Sequence, residues 1–165
     1  MDYINMEHKY EYVSGRERPR GCIFCMAASG ELKDLVLYVD DKVVIMLNKF
    51  PYNTAHLLIA PSRHVKDLRE LTEDEVVALH RAISFSMRVI DETFSPQGYN
   101  LGLNQGRAAG ASVEHLHFHL VPRRYGEYNF METIVGARSV LQKPETVWRI
   151  LKPKFDVLRG GRPHH

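Results

Sequence analysis

Three histidines stand at alternate positions in the run 110–122, GASVEHLHFHLVP: His115, His117 and His119. Imidazole is the side chain best suited to act near neutral pH as nucleophile, proton carrier or metal ligand. Leu116, Phe118 and Leu120 fill the positions between and after. This alternation predicts a strand over 115–121, because successive strand side chains point to opposite faces. One face then carries imidazoles about 7 Å apart. The other sends Leu116, Phe118 and Leu120 into a core. Directly upstream, residues 104–112 (NQGRAAGAS) form a small-residue loop with a polar side chain at each end. Glycines allow close backbone approach, so the loop's N–H groups can cradle an anion.

Three chemistries compete for the histidine row. Ser112 could enter a Ser–His–Asp arrangement, but it lies only three residues before His115 and outside a nucleophile-elbow context. His115 and His117 could be two ligands of a metal hydroxide, with a third elsewhere. No Asp or Glu stands at a matching position, and Glu114 belongs to the opposite face. In the third reading His117 itself attacks phosphorus. That requires one ring nitrogen free, the other held by an acceptor, and donors around the phosphate. His119, Ser112, Asn104 and the glycine loop can supply the donors.

A second constellation is Cys22-Ile23-Phe24-Cys25. A C-x-x-C is a redox pair, half of a zinc site, or two inert thiols. A redox motif should follow a strand and open a helix, and no strand signal precedes Cys22. Spacing favours zinc, with His64 and His115 available to complete a closed structural site. His56 opens an apolar run and could lie beside the triad across a sheet, although a strand-end histidine is usually ordinary. Arg63, Arg107, Arg123 and Arg124 could meet phosphate; a solvated surface is the plainer reading for each.

These side chains need a scaffold. Leu35–Val39 and Val43–Leu47 are β-rich runs joined by Asp40-Asp41-Lys42, which reads as a hairpin. His56–Ala60 and Tyr99–Leu103 are further strands. The clearest helix covers 73–94: Thr72-Glu73-Asp74-Glu75 matches a capping box, and Val76, His80, Ile83, Met87, Ile90 and Phe94 form an apolar stripe. His80 on that stripe is expected at the core or its boundary. Ser95-Pro96-Gln97-Gly98 ends the helix. Pro144 starts a C-terminal helix through Trp148 and Leu151, which Pro153 should interrupt. The expected fold is α+β: a mainly antiparallel five-stranded sheet, one long helix and a C-terminal helical tail.

The expected organisation is a polar arm over 1–20, one domain over 21–125, and a basic extension over 126–165 packing on the domain or on a partner copy. A chain of 165 residues with 44% hydrophobic and 25% charged residues suits a single globular core. The net charge is +2, but from Val121 onward nine Lys/Arg oppose four Asp/Glu. That basic tail suits a polyanionic substrate as well as a solvated surface. It shows no stacking platform of interleaved aromatics, so nucleic acid is not the favoured partner. No apolar run approaches a membrane span, the N-terminus lacks a signal-type core, and two cysteines make no disulfide framework. A cytoplasmic setting without membrane contact is expected.

HLHFHLV fits at every position the His-x-His-x-His-x-x pattern, x apolar, of the histidine triad family of nucleotide hydrolases and transferases. The chain resembles that family over about 100 residues, from Cys22 to Pro122, through CIFC, LNKFPYNTAHLLIAPSRH and NQGRAAGASVEHLHFHLVPR. The resemblance implies that His117 attacks the α-phosphate and forms a nucleotidyl-histidine. It implies that the main-chain carbonyl of His115 orients His117, and that His119 and His56 bind phosphate oxygens. Asn104, Gly110 and Ser112 would position phosphates and leaving group, and Asn48 would meet the ribose. Ile23, Phe24, Leu47 and Phe50 would wall the base. The family's structural zinc would use Cys22, Cys25, His64 and His115. No catalytic metal is implied; Mg2+ would come with a polyphosphate substrate. A homodimer is implied.

Within the family the pattern is most similar to the bacterial diadenosine tetraphosphate phosphorylase-like branch, through the Met1-Asp2-Tyr3-Ile4 start, the arm before CIFC, GYNLGLNQG and the Asn129-Phe130 pair. Such enzymes use inorganic phosphate in place of water and give ADP and ATP. Hydrolysis of dinucleoside polyphosphates or phosphoramidates is the enzymatic alternative. A nucleotide-binding protein with little turnover is the alternative of another class. Two positions depart from the pattern: Ala111 replaces a frequent Gln of the small hydrolases, and Arg124-Tyr125 stands where this branch usually has Trp.

Overall fold

The computed structural model describes residues 21–126 and 142–160. The arm over 1–20 and the Asn129-Phe130 pair lie outside them. Five strands form one sheet: β1 (Val36–Val39), β2 (Val43–Leu47), β3 (Leu57–Pro61), β4 (Gly98–Leu103) and β5 (Phe118–Arg123), in spatial order β1-β2-β3-β5-β4. Every neighbouring pair is antiparallel. With helices α1 (Ile23–Ser29), α2 (Glu73–Phe94) and α3 (Pro144–Gly160), the chain adopts the expected α+β architecture.

The β1–β2 connection is the expected hairpin. Asp40 Oδ1 accepts from the backbone N–H of Lys42 at 2.8 Å and of Val43 at 2.7 Å, so one carboxylate closes the turn. Residues of β2 and β3 are buried on both faces, which is why these runs read as continuously apolar. Leu37, Val43, Ile45, Leu47, Leu57, Ile59 and Leu120 face α2 and α3. Val36, Val44, Met46, Leu58 and Ala60 face the other way, onto Phe24 and Ala27 of α1. The register pairs Leu58 with His119. His119 therefore lies on the α1 side, and its neighbour Leu120 on the α2 side.

Helix α2 begins at the predicted box. Thr72 Oγ1 accepts from the Glu75 N–H at 3.3 Å, and Glu75 Oε2 accepts from the Thr72 N–H at 2.9 Å. Ser95 ends it in the left-handed region, at φ 47°. The buried stripe, however, is Glu75, Leu79, Ala82, Ile83, Ser86, Val89 and Ile90. Val76 is 50% exposed and His80 is also exposed, so His80 is not a core residue. Ile83 and Ile90 of the expected stripe are buried and Met87 and Phe94 pack against the core, so the expectation fails only in the first turns, where apolar Val76 and Val77 mimic a buried start.

Helix α3 runs through Pro153 instead of stopping there. Val147, Leu151 and Phe155, spaced by four, are 1%, 0% and 0% exposed. Burying three such side chains contributes on the order of 5 kcal/mol, which outweighs the roughly 3 kcal/mol an internal proline costs. Pro153 itself faces solvent. Two side chains tie α3 to β1: Trp148 Nε1 donates to the Val36 carbonyl at 2.9 Å, and Lys152 Nζ to that of Leu37 at 3.2 Å. No described helix is long and apolar enough to cross a membrane.

Candidate active site

The expected strand over 115–121 begins only at Phe118. His115 lies in a bend and His117 in the irregular residues just before β5. The main chain there is anchored by the Leu116 N–H, which donates to the Val65 carbonyl at 2.7 Å. The histidines consequently splay apart. The His115 ring turns toward the cysteines, while His117 and His119 stay together with ring centroids 5.0 Å apart.

His117 is 4% exposed. Its Nδ1 lies 2.7 Å from the carbonyl oxygen of His115. A carbonyl only accepts, so Nδ1 carries the proton and Nε2 keeps its lone pair. Phe24 of α1, with no exposed surface, packs beneath, its centroid 4.9 Å from His117 and 5.1 Å from His115. Phe24 is therefore a support for these rings and not an open wall. Leu47 belongs to the core on the opposite sheet face, which corrects its expected place beside a base: alternation along β2 turns it away from the histidines. Phe50 and Ile23 are half-buried.

His56 precedes β3 and is fully buried. Its Nδ1 accepts from the Tyr52 N–H at 3.0 Å and lies 3.4 Å from Asn48 Nδ2. Its Nε2 is 2.9 Å from His119 Nδ1. Since Nδ1 of His56 is an acceptor, Nε2–H must donate to His119 Nδ1, which leaves the Nε2–H of His119 to point onward as a donor. Tyr52 lies over both rings, at 4.8 Å from His56 and 6.0 Å from His119. Asn48 also accepts from the Phe50 N–H at 3.0 Å, so its amide holds the turn after β2.

Burial sets the protonation of the group. Burial first, and then the charge a neighbouring imidazole would carry, together lower His56 to about 3 and His119 to about 4. His117 is lowered by burial as well, against the opposing pull of the His115 carbonyl. All three are neutral near pH 7: one free lone pair on His117, flanked by N–H donors, in a site poor in water. Neutral imidazole is the form that can attack phosphorus.

The loop over 104–112 contains a short 3-10 turn, Arg107–Ala109, and Gly110 at φ 89°. Asn104 Nδ2 lies 3.8 Å from where a Cβ on Gly110 would stand, so the two ends of the loop approach each other and glycine suits the fold-back. Gln105 accepts from the Leu68 N–H at 2.9 Å and pins the loop to the neighbouring turn. Ser112 is exposed. Arg63 is committed elsewhere: its guanidinium pairs with both Glu75 oxygens at 2.9 and 2.8 Å. Arg107 approaches Glu114, 3.9 Å away, and Lys66 pairs with the same carboxylate at 3.2 Å.

The second constellation assembles on its own. Sequence reading missed α1, which Cys22 caps and which carries Cys25. Ligand atoms of Cys22, Cys25, His64 and His115 all lie within 4.8 Å of one another. His115 Nδ1 is 3.2 Å from Cys22 Sγ, 3.6 Å from Cys25 Sγ and 3.2 Å from His64 Nδ1, and Cys25 Sγ is 3.3 Å from that same His64 atom. Nitrogen and sulfur ligands on a tetrahedral zinc stand about 3.3–3.8 Å apart. His115 Nε2 donates to the Pro61 carbonyl at 2.8 Å, the outer contact that leaves Nδ1 free for a metal. Burial and the adjacent Cys22 push the Cys25 thiol up to about 11, the reverse of a reactive redox cysteine. The donor set fits a divalent metal.

Comparison with known proteins agrees with this geometry. A family model described as the HIT domain matches residues 29–126. The AP-4-A phosphorylase of Mycobacterium tuberculosis is 41% identical over 114 residues, 68% of this chain but 58% of that protein. The adenosine 5'-monophosphoramidase of Candida albicans is 34% identical, over 62% of this chain and 70% of its own. A zinc-bound histidine triad family protein from Mycobacterium smegmatis superposes with a TM-score of 0.68 at 27% identity, covering 86% of this chain and 98% of that one. The chain spans little more than half of the mycobacterial phosphorylase.

Proposed function

We propose, on the premise that this chain belongs to the HIT domain family, that it transfers a nucleotidyl group from a dinucleoside polyphosphate to inorganic phosphate. The observation that carries the reading is the 2.7 Å contact between His117 Nδ1 and the His115 carbonyl, which leaves Nε2 as a neutral nucleophile. Nε2 attacks the α-phosphorus of diadenosine tetraphosphate; a P–N bond forms, the bridging P–O bond breaks, and ATP departs. Phosphate then attacks the adenylyl-His117, the P–N bond breaks, and ADP leaves. His119, through the Nε2–H that His56 fixes, donates to phosphate oxygens where charge accumulates. Asn104, Gly110 and Ser112 position the polyphosphate, Asn48 meets the ribose, and Phe50 borders the base, with Phe24 behind the histidines.

Zinc at Cys22, Cys25, His64 and His115 supplies cross-linking of α1 to the sheet and no Lewis acidity at phosphorus. Mg2+ accompanies the polyphosphate. The protein acts as a cytoplasmic homodimer. In support of the dimer, β4 is an edge strand whose Leu101 is 48% exposed, a surface that proteins usually cover or pair. The domain spans 21–125 with a basic extension beyond.

Incubation with diadenosine tetraphosphate, with and without phosphate, tests the reading. ADP plus ATP only when phosphate is present supports it. AMP plus ATP regardless of phosphate makes the protein a hydrolase. Turnover of adenosine phosphoramidate alone favours the second reading, which the similarity to the Candida phosphoramidase motivates. Nucleotide binding without any product reduces the protein to a binding module.

A further inference from the structure

His115 belongs to two sites at once. Its side chain offers Nδ1 to the group formed with Cys22, Cys25 and His64, at 3.2–3.6 Å from their ligand atoms. Its main-chain carbonyl receives the Nδ1–H of His117 at 2.7 Å. The segment containing His115 lies before β5 and lacks the sheet's own hydrogen bonding; what fixes it is the ring's bond to Pro61 and the Leu116 bond to Val65. Phe24 repeats the connection. It sits between the two cysteines on α1 and packs on both His115 and His117. Both routes from the four-ligand group end on the ring of the nucleophile.

We infer that His115 is a positioning residue through which a metal bound by Cys22, Cys25, His64 and His115 sets the orientation of His117. This rests on the reading of His117 as nucleophile and deepens it. Loss of the metal leaves the His115 ring held through Nε2 and Pro61 alone and loosens the α1 anchor, so the carbonyl and Phe24 hold His117 less firmly in one tautomer and one rotation. The substrate contacts on the other side, His56, His119 and the loop over 104–112, do not pass through His115. The coupling therefore acts on the rate of nucleotidyl transfer and leaves nucleotide affinity largely alone.

The experiment compares zinc-loaded protein, chelator-stripped protein and His64→Ala, which removes an exposed ligand that does not touch His117. Three readouts are taken: nitrogen chemical shifts of His117 in 15N-histidine-labelled protein, the transfer rate and KM, and far-UV circular dichroism. On stripping, the expected result is loss of the slowly exchanging His117 Nδ1–H signal. The transfer rate should fall roughly 10- to 100-fold, the usual effect of disturbing contacts around a metal ligand, with KM changed less than about threefold. His64→Cys, which restores a four-donor set, should recover signal and rate when zinc is added. An unchanged His117 signal in folded, metal-free protein overturns the inference, as does a rate that tracks the loss of circular dichroism in one step. If the zinc-loaded protein transfers nothing, the nucleophile reading fails while the His117 signal still reports on the coupling.

Discussion

His56 Nε2 stands 2.9 Å from His119 Nδ1, in a site where both rings are held far below the usual histidine range, at about 3 and about 4. The Tyr52 N–H fixes the direction of the chain, so each ring carries a single proton at a known nitrogen. A second proton on His119 Nδ1 would face the His56 Nε2–H, and one on His56 Nδ1 would face the Tyr52 N–H, so a charged ring in this buried pair loses a hydrogen bond as well as its solvation.

Stability should therefore depend on pH. An unfolded histidine titrates near 6.5, and the folded pair resists protonation until about 4 or below. Between those values the unfolded chain binds protons that the folded site refuses, so stability rises with pH. It should be complete above about pH 6.5 and fall as the pH drops toward about 4, with each tenfold difference in proton affinity worth about 1.4 kcal/mol. Urea unfolding at pH 5 and pH 7.5 measures this. His56→Gln should flatten the slope; an equal slope in that variant would place the effect elsewhere.

Glu75 closes the capping box of α2 and receives the Arg63 guanidinium at two points, which holds its carboxyl down at about 2. Glu75→Gln keeps a cap acceptor but removes the charge, and should cost about 1 kcal/mol. Glu75→Ala removes both and should cost about 2 kcal/mol. Thermal unfolding of the two variants separates cap from ion pair, and equal losses would mean that the charge contributes nothing.

Pro153 sits exposed inside α3 while Leu151 is fully buried beside it. Pro153→Ala restores a helical N–H and should raise stability by about 1–2 kcal/mol. Leu151→Ala should lower it by roughly 2–5 kcal/mol. If both changes were neutral by denaturant unfolding, the helix would contribute little to the core despite its burial.

The features that could be read from the chain were those carried by local pattern. The β1–β2 hairpin, the Thr72–Glu75 cap and the five apolar runs are written within a few residues of themselves, and each appears. The four-ligand group was legible because cysteine and histidine have few other uses at such spacing. Helix α1 was not: seven residues with Ile23, Phe24 and Cys25 have no clear period, and packing of Phe24 and Ala27 on the sheet decides their conformation. The turn of His115 away from its neighbours, and the His56–His119 bond, depend on strand register and on the Val65 and Pro61 carbonyls. Alternation alone places three rings in a row; tertiary hydrogen bonds turn His115 toward the cysteines and leave His117 beside His119. The buried face of the first turns of α2 is misleading in sequence because Val76 and Val77 are apolar yet exposed.

The central claim is that His117 Nε2 becomes covalently attached to the nucleotide. The most direct test mixes the protein with diadenosine tetraphosphate labelled at the α-phosphate, quenches in alkali within a fraction of one turnover, and maps the labelled peptide. The account predicts an acid-labile label on His117, absent from His117→Ala, which should still bind nucleotide. Product formed with no label on the wild type, or a label that persists in His117→Ala, would contradict it.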